Sequence, residues 1–248
     1  MIYKSFQEKK AKGHKSVAVL IDPDKVEDGL RLQHLINLAS ENLVDYFFVG
    51  GSLITTTNLH EVVKQIKQSI NIPVVLFPGN TMQIEPGADG ILFLSLISGR
   101  NPELLIGQHV IAAPILKNTK LEVIPTGYML INSGKITSVA YMSNTTPLPE
   151  EKYSLAACTA MAGEMLGLQM MYLDAGSGAD KPISAKMINS VRKSIDCPLL
   201  VGGGINTAHK ALTALEAGAD CIVIGNALEK DPALLSEIAD KIYEWNNS

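Results

Sequence analysis

Short runs of Val, Ile, Leu and Phe recur along the chain without polar alternation: VAVLI from Val17, YFFV from Tyr46, VVLF from Val74, ILFL from Ile91, MMYL from Met170, LLV from Leu199 and IVI from Ile222. Runs of this length fit strands covered on both faces, and such strands belong to a parallel sheet flanked by helices. A weaker run, LEVIPTG from Leu121, brings the strands to eight. Helical stripes lie between them. Leu59, Val62, Val63, Ile66 and Ile70 share one face, as do Ala208, Ala211, Leu212 and Leu215, and again Leu235, Ile238, Ala239 and Ile242. Asp24 with Glu27, and Asn58 with Glu61, have the spacing of capping boxes and predict two helix entries.

Eight strands alternating with helices in 248 residues predict an α/β fold, a (β/α)8 TIM barrel forming one domain over residues 1–248. The barrel is expected to be modified. Pro78 to Asp89 (PGNTMQIEPGAD) holds two prolines and two glycines, too broken for a helix, so the third helix is expected to be missing or replaced. From Tyr128 to Glu150, NSGK at Asn132 reads as a hairpin turn, and Pro147 and Pro149 mark a loop. This segment follows the fifth strand, on the face where barrels build their sites. Tyr128, Tyr141 and Met142 are expected to form an apolar wall there.

Composition narrows the function classes. A net charge of -4 with no basic stripe argues against nucleic acid as a partner. Cys158, Cys197 and Cys221 are odd in number and form no CxxC pair, which supports neither a disulfide framework nor a zinc site. The charged N-terminus lacks a signal-peptide core, and the longest apolar stretch, around Ile91 to Ile97, falls far short of the ~20 residues of a membrane helix. The expectation is a cytoplasmic protein with no transmembrane segment. His14, His34, His60, His109 and His209 lie away from strand ends, mostly at the surface, and Met165, Met170 and Met171 fill the core. No Ser/His/Asp arrangement assembles at strand ends.

The chemistry-bearing candidates cluster after strands. VGGGI follows the seventh strand and CIVIGN forms the eighth, so Gly203, Gly204, Gly225 and Asn226 are phosphate candidates, since glycine lets backbone N–H groups approach anionic oxygens. A simple chain turn is the alternative for Gly202–Gly204. YLDAGSG ends the sixth strand with Asp174 facing the site, and Gly176, Ser177 and Gly178 could wrap a polar ligand. Asp22, at the end of the first strand in LIDPDK, is read as the free carboxylate because Asp24 is taken as a cap. With Ser52 in VGGS it could hold Mg²⁺, which keeps several waters and draws further oxygens from substrate phosphates.

Taken together, LIDPDK, VGGS, APILKN, VIPTGYMLI, YLDAGSGA, VGGGI and IGN resemble the geranylgeranylglyceryl phosphate synthase family with its bacterial PcrB-like relatives, over nearly the whole chain. Length and the long central segment are more similar to the branch holding many archaeal enzymes. The resemblance implies a TIM barrel with its third helix replaced. It implies a prenyltransferase that joins the 3-hydroxyl of sn-glycerol 1-phosphate to a prenyl diphosphate, geranylgeranyl diphosphate above all, through an ether bond. It further implies Mg²⁺ on Asp22 and Ser52, and glycerol phosphate on Tyr172, Leu173, Asp174, Ala175, Gly176, Ser177, Gly178, Gly203, Gly204, Gly225 and Asn226. Asp174 would be the base, where family members commonly carry Glu. A homo-oligomer is expected, as related barrels associate. The Asp-rich motif of chain-elongating prenyltransferases is absent. The rivals are a flavin-dependent barrel oxidoreductase, whose FMN phosphate would use the same glycine loops, and a non-catalytic barrel that binds a phosphorylated ligand.

Overall fold

A computed structural model describes residues 1–26 and 29–247. The strands are β1 (Ser16–Ile21), β2 (Tyr46–Val49), β3 (Val74–Leu76), β4 (Gly90–Leu96), β5 (Glu122–Leu130), β6 (Met170–Asp174), β7 (Leu199–Gly202) and β8 (Cys221–Ile224). They form a closed parallel barrel in sequence order, with β8 pairing back on β1 at Val19 and Ile224. Every apolar run falls on a strand. The helices among the described residues are α1 (Ile2–Ala11), α2 (Gly29–Glu41), α3 (Leu59–Ser69), α4 (Gln108–Lys117), α5 (Ser138–Ser143), α6 (Tyr153–Met165), α7 (Ala185–Arg192), α8 (Ala208–Glu216), α9 (Asn226–Lys230) and α10 (Leu234–Asn246). None is long and apolar enough to cross a membrane.

Alternation along each strand divides the core into two layers. Inward-facing Ala18, Phe48, Val75, Leu92, Ile124, Met170, Leu200 and Val223 fill the barrel, and Val19, Phe47, Leu76, Met171, Val201 and Ile222 meet the helices. The helix α1 plugs the end opposite the site. Its first two N–H groups, of Ile2 and Tyr3, donate to Glu122, and Phe6 stacks on Tyr46 with ring centroids 4.1 Å apart. At the same end, aspartates just before three strands accept the N–H at or near the start of the preceding strand: Asp45 from Val17, Asp89 from Val74 and Asp220 from Leu199, each at 2.8 Å. These carboxylates lock the register of adjacent strands.

Several local expectations change. No helix stands between β3 and β4, only a 3-10 turn at Thr81–Gln83, as expected. The NSGK segment is an Asx turn and not a hairpin. Asn132 Oδ1 accepts from Gly134 N at 3.0 Å, so the turn closes on its own side chain, and the chain passes into α5 without a returning strand. Asn58 makes no side-chain cap at α3, because its backbone is already helical instead of extended as a capping residue requires. The roles of Asp22 and Asp24 are exchanged: Asp22 Oδ1 accepts from Asp24 N at 3.2 Å and caps the 3-10 turn at Pro23–Lys25. Asp24 instead receives the N–H and hydroxyl groups of Thr55 and Thr56. Its expected partner Glu27 lies outside the described residues. Met170 and Met171 are buried, whereas Met165 is exposed at the end of α6.

Replacing Asp220 with Ala removes the acceptor of both Leu199 N–H and the Arg192 guanidinium, each 2.8 Å away. A buried donor is left unpaired and the Arg192 guanidinium keeps only the carbonyls of Ile195 and Cys197, at a cost of about 3 kcal/mol. Chemical denaturation should show that loss, and ligand affinity below the transition should be unchanged because Asp220 sits at the far end of the barrel.

Candidate active site

The C-terminal ends of the strands surround a cavity of about 1520 Å³. Its glycine-rich wall follows β6, β7 and β8. Gly203 and Gly204 adopt φ of +81° and +69°, values that side-chain-bearing residues rarely take. A Cβ on Gly203 would lie 2.7 Å from Asp174 Oδ1, and one on Gly204 would lie 2.6 Å from the Lys181 carbonyl. The N–H groups of Gly203, Gly204, Gly225 and Asn226 donate to no protein acceptor among the described residues, and all four residues line the cavity. Unpaired N–H groups held on rigid strand ends have the form of an anion cradle. The cradle is stitched across sequence. Asn226 Nδ2 donates to Ser177 Oγ at 3.0 Å, and Lys25 Nζ donates to Asn226 Oδ1 at 2.5 Å.

Beside the cradle, against Gly203, stands Asp174, 7% exposed. Its Oδ1 accepts from Gly176 N at 2.7 Å and its Oδ2 from the Tyr128 hydroxyl at 2.5 Å. Burial raises its carboxyl above the usual range, and the two donors partly offset that rise. Tyr172 and Phe77 complete an aromatic floor, with Phe77 5.3 Å from Tyr172 and 5.9 Å from Tyr128 between ring centroids.

Asp22 and Ser52 both line the cavity beyond this floor. Asp22 faces the loop after β2, since a Cβ on Gly51 would sit 3.4 Å from its Oδ1. Burial raises its carboxyl, opposed by the Asp24 N–H and by Lys25, whose Nζ is 3.8 Å from Oδ2. Among the described residues no group of three His, Cys, Asp or Glu side chains gathers as a metal cage. One carboxylate and one hydroxyl suit a cation that takes its remaining oxygens from water and a phosphorylated ligand.

The cavity has a second arm where the third helix is missing. Ile91 and Phe93 point outward from β4 and line it with Ile84, Ala112 and Leu116. His109 of α4 closes its side, buried, edge-on to Phe93 with ring centroids 4.5 Å apart and with Nε2 3.1 Å from Ser95 Oγ. Burial lowers its pKa.

The fold therefore gathers Tyr172, Asp174, Gly176, Ser177, Gly178, Gly203, Gly204, Gly225, Asn226, Asp22 and Ser52 around one space. It excludes Leu173 and Ala175, which strand alternation turns into the outer layer, 0% and 2% exposed. Tyr128, Tyr141 and Met142 of the expected wall all line the cavity, but at different depths. Tyr128 is buried beneath Asp174, while Tyr141 and Met142 stand exposed at the rim. Lys25 was overlooked although it stands three residues after Asp22 within LIDPDK, a signal of shared position on the turn. Of the five histidines expected mostly at the surface, His109 is buried, since nothing in its sequence neighbourhood announces the groove it lines.

A closed (β/α)8 barrel with an anion cradle after its last strands, a buried carboxylate and an apolar arm belongs with the barrels that act on phosphorylated ligands. The chain belongs to the PcrB family, matching it over residues 9–244. It is 56% identical over 239 residues to the geranylgeranylglyceryl phosphate synthase of Spirosoma linguale, with 96% of each chain covered. It is 41% identical over 229 residues to that of Thermococcus kodakarensis, covering 92% of this chain and 89% of the relative. The crystal structure of (S)-3-O-geranylgeranylglyceryl phosphate synthase from Thermoplasma acidophilum, in complex with substrate sn-glycerol-1-phosphate, matches with a TM-score of 0.92 at 29% identity, covering 98% of this chain and 99% of that one. Thiamine phosphate pyrophosphorylase from Pyrococcus furiosus, 13% identical with a TM-score of 0.58, shares the fold alone.

Gly203→Ala should cost about 1–3 kcal/mol of stability, from the positive φ and the contact with Asp174 together. Gly134 has a φ of +91° with nothing within 4 Å of an added Cβ, so Gly134→Ala isolates the conformational part. Equal losses in thermal unfolding would mean that crowding against Asp174 contributes nothing.

Proposed function

We propose that this protein joins the 3-hydroxyl of sn-glycerol 1-phosphate to the first carbon of geranylgeranyl diphosphate through an ether bond and releases diphosphate. The observation that carries this reading is the set of unpaired N–H groups at Gly203, Gly204, Gly225 and Asn226 in the same cavity as a buried carboxylate. A phosphate held there by backbone dipoles leaves its alcohol end to reach Asp174. Tyr172 and the backbone of Gly176–Gly178 bound the glycerol, and Asn226 is held by Ser177 for its share of the phosphate. The apolar arm beside Ile91, Phe93 and Leu116 takes the prenyl chain, which the packed barrel interior could not admit.

Attack requires an oriented alcohol, a proton acceptor and a stabilised leaving group. Asp174 accepts the hydroxyl proton as the oxygen closes on the allylic carbon. Asp22 and Ser52 would hold Mg²⁺, which when bound supplies charge neutralisation to the departing diphosphate. Lys25, within reach of Asp22 and Asn226, adds a cation between the two anionic groups.

Incubation of the purified protein with Mg²⁺, sn-glycerol 1-phosphate and prenyl diphosphates of several lengths should give a glycerol ether phosphate. Binding without turnover would favour the ligand-binding barrel, and a yellow protein with bound flavin the oxidoreductase. In the same assay Asp174→Asn should lower kcat by about 10²–10⁴-fold, the usual contribution of a general base, with little change in KM for glycerol phosphate. A near wild-type kcat, with chemistry rate-limiting, would assign the proton to another acceptor. Excess EDTA should abolish turnover, and Asp22→Asn should raise the Mg²⁺ concentration needed for half-maximal rate; full activity in the chelator would remove the metal assignment.

A further inference from the structure

The hydroxyl of Tyr128 has no role in the chemistry described above, yet it makes the shortest contact to its central group. Tyr128 Oη donates to Asp174 Oδ2 at 2.5 Å, and Gly176 N donates to Oδ1 at 2.7 Å. Each carboxylate oxygen thus carries one protein donor and keeps a lone pair for another proton. The phenol is fixed in place. Its ring meets Tyr172 edge-on with centroids 5.5 Å apart and leans on Phe77 at 5.9 Å, and it is 5% exposed, so the hydroxyl cannot leave Asp174 without repacking the barrel interior.

We propose that Tyr128 is a positioning residue for proton transfer: its hydroxyl aims the Asp174 carboxylate at the acceptor alcohol and keeps it ionised inside an apolar barrel. The inference rests on Asp174 as the base. In the step it serves, the glycerol hydroxyl proton passes to Asp174 while the new carbon–oxygen bond forms. The carbon–oxygen bond to diphosphate breaks, diphosphate leaves with the electron pair, and Tyr128 retains its own proton throughout. The titratable groups facing Asp174 are Tyr128 from β5 and Tyr172 from β6; β3 brings Phe77 and β7 brings Gly202 and Gly203. Among the described residues no cation pairs with it. Burial pushes both phenols well above their ordinary range, so they stay neutral and Tyr128 remains a donor. Ionisation of Asp174 therefore depends on two hydrogen bonds, one of them from Tyr128.

The test is the pH profile of kcat/KM for wild type, Tyr128→Phe and a variant with 3-fluorotyrosine at position 128. Activity needs ionised Asp174 and is lost as pH falls through its pKa. Removing a donor to the carboxylate raises that pKa, so the acid limb of Tyr128→Phe should move up by about one pH unit, with kcat/KM about tenfold lower on the acid limb and recovering to the wild-type plateau at higher pH. The KM for glycerol phosphate should stay within about twofold. Fluorotyrosine is a stronger donor with nearly the same packing, so its limb should move down, and it remains informative if the Phe variant folds poorly. A limb unmoved in the fluorotyrosine variant, or a loss of kcat equal at all pH values in Tyr128→Phe, overturns the inference. Asp174→Asn separates the two claims: if it keeps the wild-type acid limb, the base assignment itself fails, whatever Tyr128 does.

Discussion

Closure of the barrel is the constraint on which the rest depends. Because β8 pairs with β1 in parallel, the loop after the last strand meets the loop after the first, and residues 201 positions apart, Lys25 and Asn226, share a hydrogen bond. Parallel strands all end on one face, so every polar group that follows a strand converges there. The opposite face can then be devoted to stability, with α1 as a plug and Asp45, Asp89 and Asp220 each tying two neighbouring strands. This division explains why the same molecule can carry unpaired N–H groups at one end and satisfied carboxylates at the other.

The missing third helix is a departure from that regular plan with a chemical use. A helix there would cover Ile91 and Phe93, and its absence leaves a groove floored by the outer face of β4 and walled by α4. An apolar groove of this kind is costly for a protein in water unless something fills it. A long hydrocarbon chain would do so while leaving the packed barrel interior undisturbed. His109 Nε2 and Ser95 Oγ pair along the wall, while His109 Nδ1 is buried without a partner among the described residues.

The centre of the cavity sets a carboxyl in an apolar interior. Asp174 lies among aromatic rings that favour its protonated form, and hydrogen bonds from Tyr128 and Gly176 oppose them. A carboxylate that is poorly solvated in this way is a better proton acceptor than one in water, which is what the proposed base role requires. Gly203 is part of the same arrangement, for a side chain there would press on Asp174.

The eight strands, the absent helix and the glycine loops were legible in the sequence because each has a local signature: an unbroken apolar run, a cluster of prolines, a position that tolerates only glycine. Family membership, too, was carried by motifs that lie at strand ends. What local pattern could not supply was the partner of each polar group. Asp22 and Asp24 stand two residues apart with equal capping credentials, and only the approach of Thr55 and Thr56 from the next loop decides which of them caps the turn. Asn132 to Gly134 has hairpin composition, but a hairpin needs a second strand, and none returns. Tyr128 reads as part of an apolar wall after the fifth strand until β5 and β6 align and its hydroxyl finds Asp174, 46 residues away. Sequence periodicity determined which faces of this protein are buried; closure of the barrel alone decided which buried groups meet, since that depends on register between strands distant in the chain.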